Sequence, residues 1–498
     1  MASGFGYRVG SDADSARDVG LGDRARARES DLPDPRPRGT RHVLRDLPRA
    51  RLWYRFGVEF ARRRNLYNRC NPDESLGPED VRNVDVDAKG VRGEHWAEQL
   101  AARVMLSNEP LCQLFTGLRG SGKSTELRRL VAAMEKEGYL AIRIDADEHL
   151  DLTREIDVSD VLAIITREVD MSVARLEGRA KPSDTEPPAD GYFTRVWNWL
   201  LTTDVGVTKL GATAGVPGAA SAMGEVSFKT NPTLRERVRA VVANHTATFV
   251  RMVHEALGVL DEKARQAGRP AGLFIVFDSL EKLRGTTMNW SAIVASAERL
   301  FADGARHLRL PVPVVYTVPP ALALRIAGVE YFPMIKVRDR RDEGWKPGID
   351  VVLDIVRLRF GDDLEAVLGK AEQAELRMRE LAMWSGGYPR EVVRVLQRLL
   401  ERGPFPIDRI ALTETLNREG NALREIVRSH WEAKDWLVAV HTGKSMQLSD
   451  DRARELAARL LELNVVLHYK NDDSWDDVHP ALLEMTDLFP NKASTTGP

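Results

Sequence analysis

At 498 residues the chain has room for about three domains. Its 72 basic and 74 acidic residues leave a net charge of -2, which argues neither for nor against nucleic acid, and its two cysteines, Cys70 and Cys112, exclude a disulfide framework and point to a reducing cytoplasm. The first 30 residues hold no apolar stretch behind positive charge, and no run approaches the roughly 18 apolar residues that span a bilayer, so a soluble cytoplasmic protein without a secretory signal or membrane partner is expected.

Residues 1 to 40 mix Asp, Arg, Gly, Ser and Pro with few large apolar side chains. They cannot bury enough surface to offset the entropy of ordering, which predicts a disordered tail. A basic, helical segment follows over 41 to 100. From Arg36 to Arg64 there are ten arginines and two acids, interleaved with Trp53, Tyr54, Phe56 and Phe60. Arginine with aromatics is a pattern of nucleic-acid surfaces, but Leu52, Phe56 and Phe60 repeat at helical spacing, so the same residues make an amphipathic helix packed on the next domain or on a partner. Residues 66 to 90 read as loop, and Gly93 to Leu106 as a helix leading to the first core strand.

The apolar run Leu111 to Phe115 predicts a buried strand and Thr125 to Lys136 a helix. Between them Gly117, Leu118, Arg119, Gly120, Ser121, Gly122, Lys123 and Ser124, followed by Thr125, fit the phosphate-loop pattern G-x-x-x-x-G-K-[ST] at every fixed position. The glycines allow the tight turn that aims successive backbone N–H groups at a phosphate, and the helix N-terminus adds its positive dipole end. Lys123 is placed to reach the β- and γ-phosphates, and the Ser124 hydroxyl to hold Mg²⁺. Binding of ATP or ADP is therefore expected.

Tyr139 to Ile144 predicts a second strand, with Asp145, Asp147 and Glu148 beyond its carboxyl end. Val158 to Leu176 predicts a helix, and about 177 to 231 an insertion with an aromatic helix near Tyr192 to Leu200 and short strands at Val205 to Leu210 and Glu225 to Phe228. A long helix spans Thr233 to Ala267. Leu273 to Phe277 is a run of five apolar residues ending in Asp278, as in a buried strand whose terminal carboxylate supports a Mg²⁺ shell. Glu281 is the candidate to orient or deprotonate the attacking water. Val312 to Thr317 predicts a further strand, interrupted early by Pro313, that presents the Thr317 hydroxyl towards a γ-phosphate. Ala321 to Gly328 reads as a short helix and Tyr331 to Val337 as a fourth parallel strand. Arg325, Arg338, Arg340 and Arg341 are candidates to reach a neighbouring subunit's site.

Val351 to Phe360 and Leu364 to Trp384 read as helices running into the turn Ser385 to Arg390, with a helix from Glu391 to Glu401 after it. Helices Leu412 to Arg428, Glu432 to His441 and Asp450 to Leu463, then strands Val465 to Tyr469 and Trp475 to Val478, describe a winged helix. Its candidate recognition helix balances Arg452, Arg454 and Arg459 against Asp450, Asp451, Glu455 and Glu462, which speaks weakly against DNA. The expected fold class is α/β: a P-loop parallel sheet of ASCE type flanked by helices over 101 to 340, a helical lid over 341 to 410 and a C-terminal winged helix over 411 to 498.

These motifs resemble those of the STAND class of signal-transducing P-loop ATPases, relatives of AAA+ proteins, over roughly residues 90 to 485. Asp278-Ser279-Leu280-Glu281-Lys282-Leu283 is similar to the class's D-G-L-D-E-L. Gly387-Tyr388-Pro389 resembles its G-x-P lid turn, which implies that Pro389 touches the nucleotide. Val478-His479-Pro480, before an apolar helix Ala481 to Met485, stands where the class has Met-His-Asp; the resemblance implies a contact from His479 to the bound diphosphate, while Val and Pro depart from the pattern. Arg390 is similar to the lid arginine with which AAA+ and initiator ATPases reach a γ-phosphate. The resemblance implies a bacterial ATP-hydrolysing switch that couples nucleotide state to assembly as a homo-oligomer or to a protein effector, in settings such as anti-phage defence. The alternatives are a DNA-binding initiator- or loader-like ATPase and a nucleotide-binding scaffold without hydrolysis.

Overall fold

Five strands rich in apolar and β-branched residues form the central sheet: β1 (Cys112–Gly117), β2 (Tyr139–Asp145), β3 (Gly272–Asp278), β4 (Val314–Thr317) and β5 (Val329–Phe332). All pairings are parallel, in the order β2-β3-β4-β1-β5, so β4 lies between the phosphate-loop strand and the strand that carries Asp278. That insertion is the ASCE arrangement. Every residue of β3 is buried, as a central parallel strand covered on both faces must be. The common direction gathers Gly117, Asp145, Asp278 and Thr317 at the carboxyl edge, with Asp145 in register beside Asp278. In this computed structural model the described residues are 57–86, 89–93, 95–203, 229, 232–283, 289–470 and 473–490. The expected tail over 1 to 40, the aromatics Trp53, Tyr54 and Phe56, and the expected strands at 205–210 and 225–228 lie outside them.

Helices cover both faces of the sheet. On one face α2 (Trp96–Leu106) and α3 (Lys123–Lys136) bring Trp96, Leu127, Leu130 and Met134 onto Phe115, Phe274 and Phe332, with Trp96 stacked on Phe115 at 3.7 Å between ring centroids. On the other lie α4 (Val158–Leu176), α5 (Tyr192–Thr202), α6 (Pro232–Gln266) and α7 (Trp290–Glu298). Helix α1 (Gly57–Arg69) precedes them all.

Beyond β5 come the helices α8 (Lys346–Phe360), α9 (Ala371–Ser385) and α10 (Pro389–Arg402). They are followed by α11 (Arg409–Ser429), α12 (Lys434–Gly443), α13 (Asp451–Glu462) and the antiparallel hairpin β6 (Val466–Lys470) and β7 (Ser474–Val478). We call the first group the lid and the second the wing. They share one apolar core, which also takes in Leu118 of the phosphate loop and Leu66 and Cys70 of α1. The α1 arginines are directed at the lid: Arg63 Nε donates to Leu400 O, Arg62 pairs with Asp363, and Arg69 Nη2 donates to Leu358 O at 2.7 Å. These arginines, expected on a solvated face, thus pack α1 on its own chain, while Phe60 of the expected apolar face is 49% exposed and Leu52 and Phe56 lie outside the described residues.

Several elements differ from expectation; the helix expected over Leu364 to Trp384 is broken into Leu364–Leu368 and Ala371–Ser385 at Gly369, whose φ of 88° ends the first. β5 stops at Phe332 because the next backbone donors turn elsewhere: Met334 N bonds His468 O of the wing at 2.9 Å and Lys336 N bonds Val91 O at 3.1 Å. The stretch Ala321 to Gly328 is only a 3₁₀ turn, Pro320–Leu324, and the helix expected at Ala481 to Met485 is the 3₁₀ turn Pro480–Leu482. Both begin at a proline, which suits a helix start but leaves too few residues to propagate one. No described helix is long and apolar enough to cross a membrane.

Candidate functional site

The loop from β1 into α3 turns through Gly120 (φ 88°) and Gly122 (φ 103°), backbone conformations that other residues rarely adopt. Gly120 is also a point of close approach. A Cβ there would lie 2.7 Å from Arg390 Cβ and 2.9 Å from the Tyr388 ring, so only glycine lets the lid turn rest on the loop. Lys123 opens α3 and is buried; its Nζ donates to Gly117 O (2.8 Å) and Leu118 O (3.0 Å) and lies 3.9 Å from Glu281 Oε1. Burial pulls the Lys123 pKa down, opposed by the charges of Glu281 and Asp278.

Beside the loop lies a cavity of about 410 Å³. Its walls include Arg119, Gly120, Gly122, Lys123, Ser124 and Thr125 of the loop, Arg143 and Glu281 at the sheet edge, and Pro389 and Arg390 of the lid. These residues, distant in sequence, therefore share one space. Gly117, Leu118 and Ser121 form the underside of the loop rather than the cavity wall. Glu281 Oε2, on the cavity wall, is buried without a hydrogen-bond partner, as expected of a group aimed at a polar ligand such as a water. The glycine cradle and the surrounding cations Arg119, Lys123, Arg128 and Arg390 fit a nucleotide's phosphates.

Three further expected site residues lie away from the cavity wall. Asp278 does not line the cavity, and its carboxylate is not free for a metal: Oδ2 accepts from Arg143 Nη2 (2.6 Å) and Nε (3.0 Å), and Oδ1 from Ser279 N (2.7 Å). A carboxylate with no exposed surface requires a countercharge, and Arg143 provides it. Burial raises the Asp278 pKa and Glu281 adds to this, while Arg143 pulls it back. The pair Ser124 and Asp278 thus does not stand as a ready metal shell. Thr317 is buried, and its hydroxyl accepts from Leu280 N at 3.0 Å, holding the turn after β3. His479 is sealed behind the lid: Nδ1 accepts from Ala481 N at 3.2 Å, Nε2 lies 3.6 Å from Glu391 Oε2, and the ring stands edge-on to Trp384 at 5.7 Å. Burial, with the charge of Arg338, brings its pKa down to about 3.

The sequence reading passed over four features of this region. The loop-like segment 71–86 closes the cavity with Leu76, Val84 and Val86, and its Pro72 carbonyl accepts from Arg390 Nε at 3.1 Å. Arg92 braces the phosphate loop by donating to Ser121 O while its guanidinium lies 4.3 Å from the centre of the Phe332 ring. Arg143 has just been described. Tyr388, the variable position of the lid turn, donates its hydroxyl hydrogen to Arg119 O of the phosphate loop and accepts from Asn464 Nδ2 of the wing at 3.1 Å. Among these, only the apolar spacing of Leu76, Val84 and Val86 gave a hint in the sequence, and it matched no regular period.

The wing is docked on the sheet domain through its candidate recognition helix. Ala458 of α13 belongs to the apolar cluster beneath β3 and β4, Trp290 Nε1 donates to Glu462, and Arg459 lies 5.3 Å from the Trp290 ring centre. Of the arginines considered for action in trans, Arg325 pairs with Glu298 (2.8 Å), Arg338 with Asp477 (3.2 Å) and Arg340 with Asp473 (2.7 Å), while Arg341 is exposed.

No protein-family model matches this sequence, and neither does any curated protein. Among solved structures, the crystal structure of Cdc6p from Pyrobaculum aerophilum aligns with 85% of this chain and 97% of its own, at 11% identity and a TM-score of 0.28. A likeness of that strength carries neither fold nor function; both rest on the sheet order and the geometry above.

Proposed function

We propose that this chain is an ATP-binding, slowly hydrolysing switch of the STAND/AAA+ kind, in which the lid and wing read the state of the phosphate loop. The observation that carries the reading is the pair of hydrogen bonds at Tyr388: one hydroxyl donates to the loop carbonyl of Arg119 and accepts from Asn464 of the wing. Any movement of the loop around a phosphate is thereby felt by the wing. The docked α13 supports a closed state, and it turns the helix that would read DNA towards the sheet domain.

In this reading the loop N–H groups and Lys123 bind the phosphates, and Arg119, Arg128 and Arg390 on the cavity wall supply further positive charge. Leu76, Val86, Ile355 and Val393 offer apolar surface to a base. The triphosphate supplies the scissile phosphoanhydride; Glu281, buried beside Lys123, orients an attacking water and accepts its proton. A thousandfold shift between closed and open states needs about 4 kcal/mol of differential binding. Arg390 supplies part of it by exchanging Pro72 O for a γ-phosphate. The open state then assembles or engages an effector, in the kind of defence signalling that the STAND resemblance implies.

The test is to identify the nucleotide that copurifies and to compare molecular mass in ADP and in ATP, beside Lys123→Ala, which should bind nucleotide about a hundredfold more weakly. Retained ADP with growth in mass only in ATP supports the switch. Absence of nucleotide binding, or the same mass and effector affinity in both nucleotides, overturns it.

A further inference from the structure

Arg143 engages the Asp278 carboxylate that the sequence pattern assigns to a metal shell. It lies on β2 in register with Val276, and its guanidinium crosses to the next strand, where both Nη2 and Nε converge on Asp278 Oδ2. With Ser279 N on Oδ1, both carboxylate oxygens are engaged by the chain itself. Among the described residues no other cation lies within ion-pair distance of Asp278.

A dehydrated carboxylate at the end of β3 has to be neutralised, by a cation from solution or by one from the protein. Mg²⁺ carries two charges and keeps a tight hydration shell, and it cannot share so confined a place with a guanidinium without strong repulsion. A second resting place for Arg143 is at hand. Asp145 Oδ2 is 3.7 Å from Nη2, and Asp145 and Glu148 line the same cavity as Arg143 itself. A swing of the guanidinium by one strand-edge position would free Asp278 while keeping Arg143 paired.

We propose that Arg143 is a built-in countercation for Asp278, which lets the site hold nucleotide without a divalent metal; the Asp278 carboxylate would be open to a divalent cation only with Arg143 moved to Asp145. This rests on the nucleotide-binding reading above. It assigns the restraint on cation binding to a residue outside both the phosphate loop and the β3 motif.

The experiment titrates the full chain with a fluorescent ADP in excess EDTA and in Mg²⁺, and measures Mn²⁺ affinity of the ADP complex by electron paramagnetic resonance. Wild type should bind ADP almost equally in both media. Arg143→Gln should lose about tenfold in EDTA, recover it with Mg²⁺, and bind Mn²⁺ about tenfold more tightly than wild type, whereas Arg143→Lys should behave like wild type. Asp145→Asn keeps the Arg143–Asp278 pair but removes the second anchor, so it should bind Mn²⁺ more weakly; it carries the test if Arg143→Gln fails to fold by circular dichroism. Equal Mn²⁺ affinity in wild type and Arg143→Gln, tighter Mn²⁺ binding by Asp145→Asn, or wild-type ADP binding that collapses in EDTA overturns the proposal and leaves the nucleotide reading standing. Failure of wild type to bind ADP in either medium overturns both.

Discussion

The lid turn and the wing hairpin each carry a residue that sequence motifs direct at the nucleotide, and the structure gives the two opposite surroundings. Arg390 lies on the cavity wall, its side chain 18% exposed and, among the described residues, held by Pro72 O and, at 3.6 Å, Asp73. His479 has no exposed surface and is enclosed by Trp384, Glu391 and its own 3₁₀ turn. One is loosely held beside a polar cavity and can change partners. The other is a packed group whose partners are the lid itself. The lid residue therefore borders the cavity, and the wing residue borders the lid.

The harshest challenge to that division is Gly387→Ala. A Cβ there would lie 1.7 Å from Ile335 O, so the lid turn cannot stay between the loop and the wing; a loss of about 3 kcal/mol or more, or failure to fold, is expected in urea unfolding. Next, His479→Ala should cost about 2 to 3 kcal/mol from the void and lost contacts while ADP affinity stays within about twofold. Tenfold weaker ADP binding by that variant at unchanged stability would break the comparison, because it would put His479 in the site after all.

The pH dependence of the buried pair sharpens it. Burial lifts the Glu391 carboxyl from 4.5 to about 7, opposed by Arg394, and the same burial keeps His479 neutral. Folded Glu391 keeps its proton where the unfolded chain has lost it. Its burial therefore costs nothing below about pH 4.5 and destabilises increasingly as pH rises towards 7. His479 acts in the opposite sense: the unfolded chain gains a proton below pH 6.5, so its contribution is complete above that value and is lost as pH falls towards 3. Glu391→Gln should exceed wild type by about 2 kcal/mol at pH 8 and lose the advantage below pH 5, read from urea midpoints.

Smaller effects are expected on the lid side. Tyr388→Phe should cost about 1 to 2 kcal/mol and keep nucleotide binding, yet abolish any mass difference between ADP and ATP. Arg390→Ala should change stability by less than about 1 kcal/mol and weaken ATP, but not ADP, about tenfold. An equal loss for both nucleotides would mean that Arg390 does not distinguish the γ-phosphate.

Much of the scaffold was legible because its causes are local. Helix Val158–Leu176 has the ends its sequence announces, since Asp157 and Asp160 form a capping box at its start. β3 follows from its unbroken apolar run, and the fixed glycines before Lys123 foretell a turn in left-handed conformations. β5 was overestimated because the residues after Phe332 look like strand while their donors go to Val91 and the wing, contacts that no local pattern encodes. The cavity wall over 71–86 was missed for a similar reason: its apolar residues obey no period and acquire a role only from what faces them.

The sequence by itself determined the phosphate loop, the acid-bearing strand and the order of helices that follow, because backbone turns, side-chain periods and caps depend on neighbours a few residues away. Only the tertiary structure decided that Asp278 is capped by an arginine 135 positions earlier, that Thr317 serves a turn and that His479 is sealed behind the lid. Burial and countercharge are set by whichever distant segment arrives, and the charge of a group cannot be read until its depth and its partner are known.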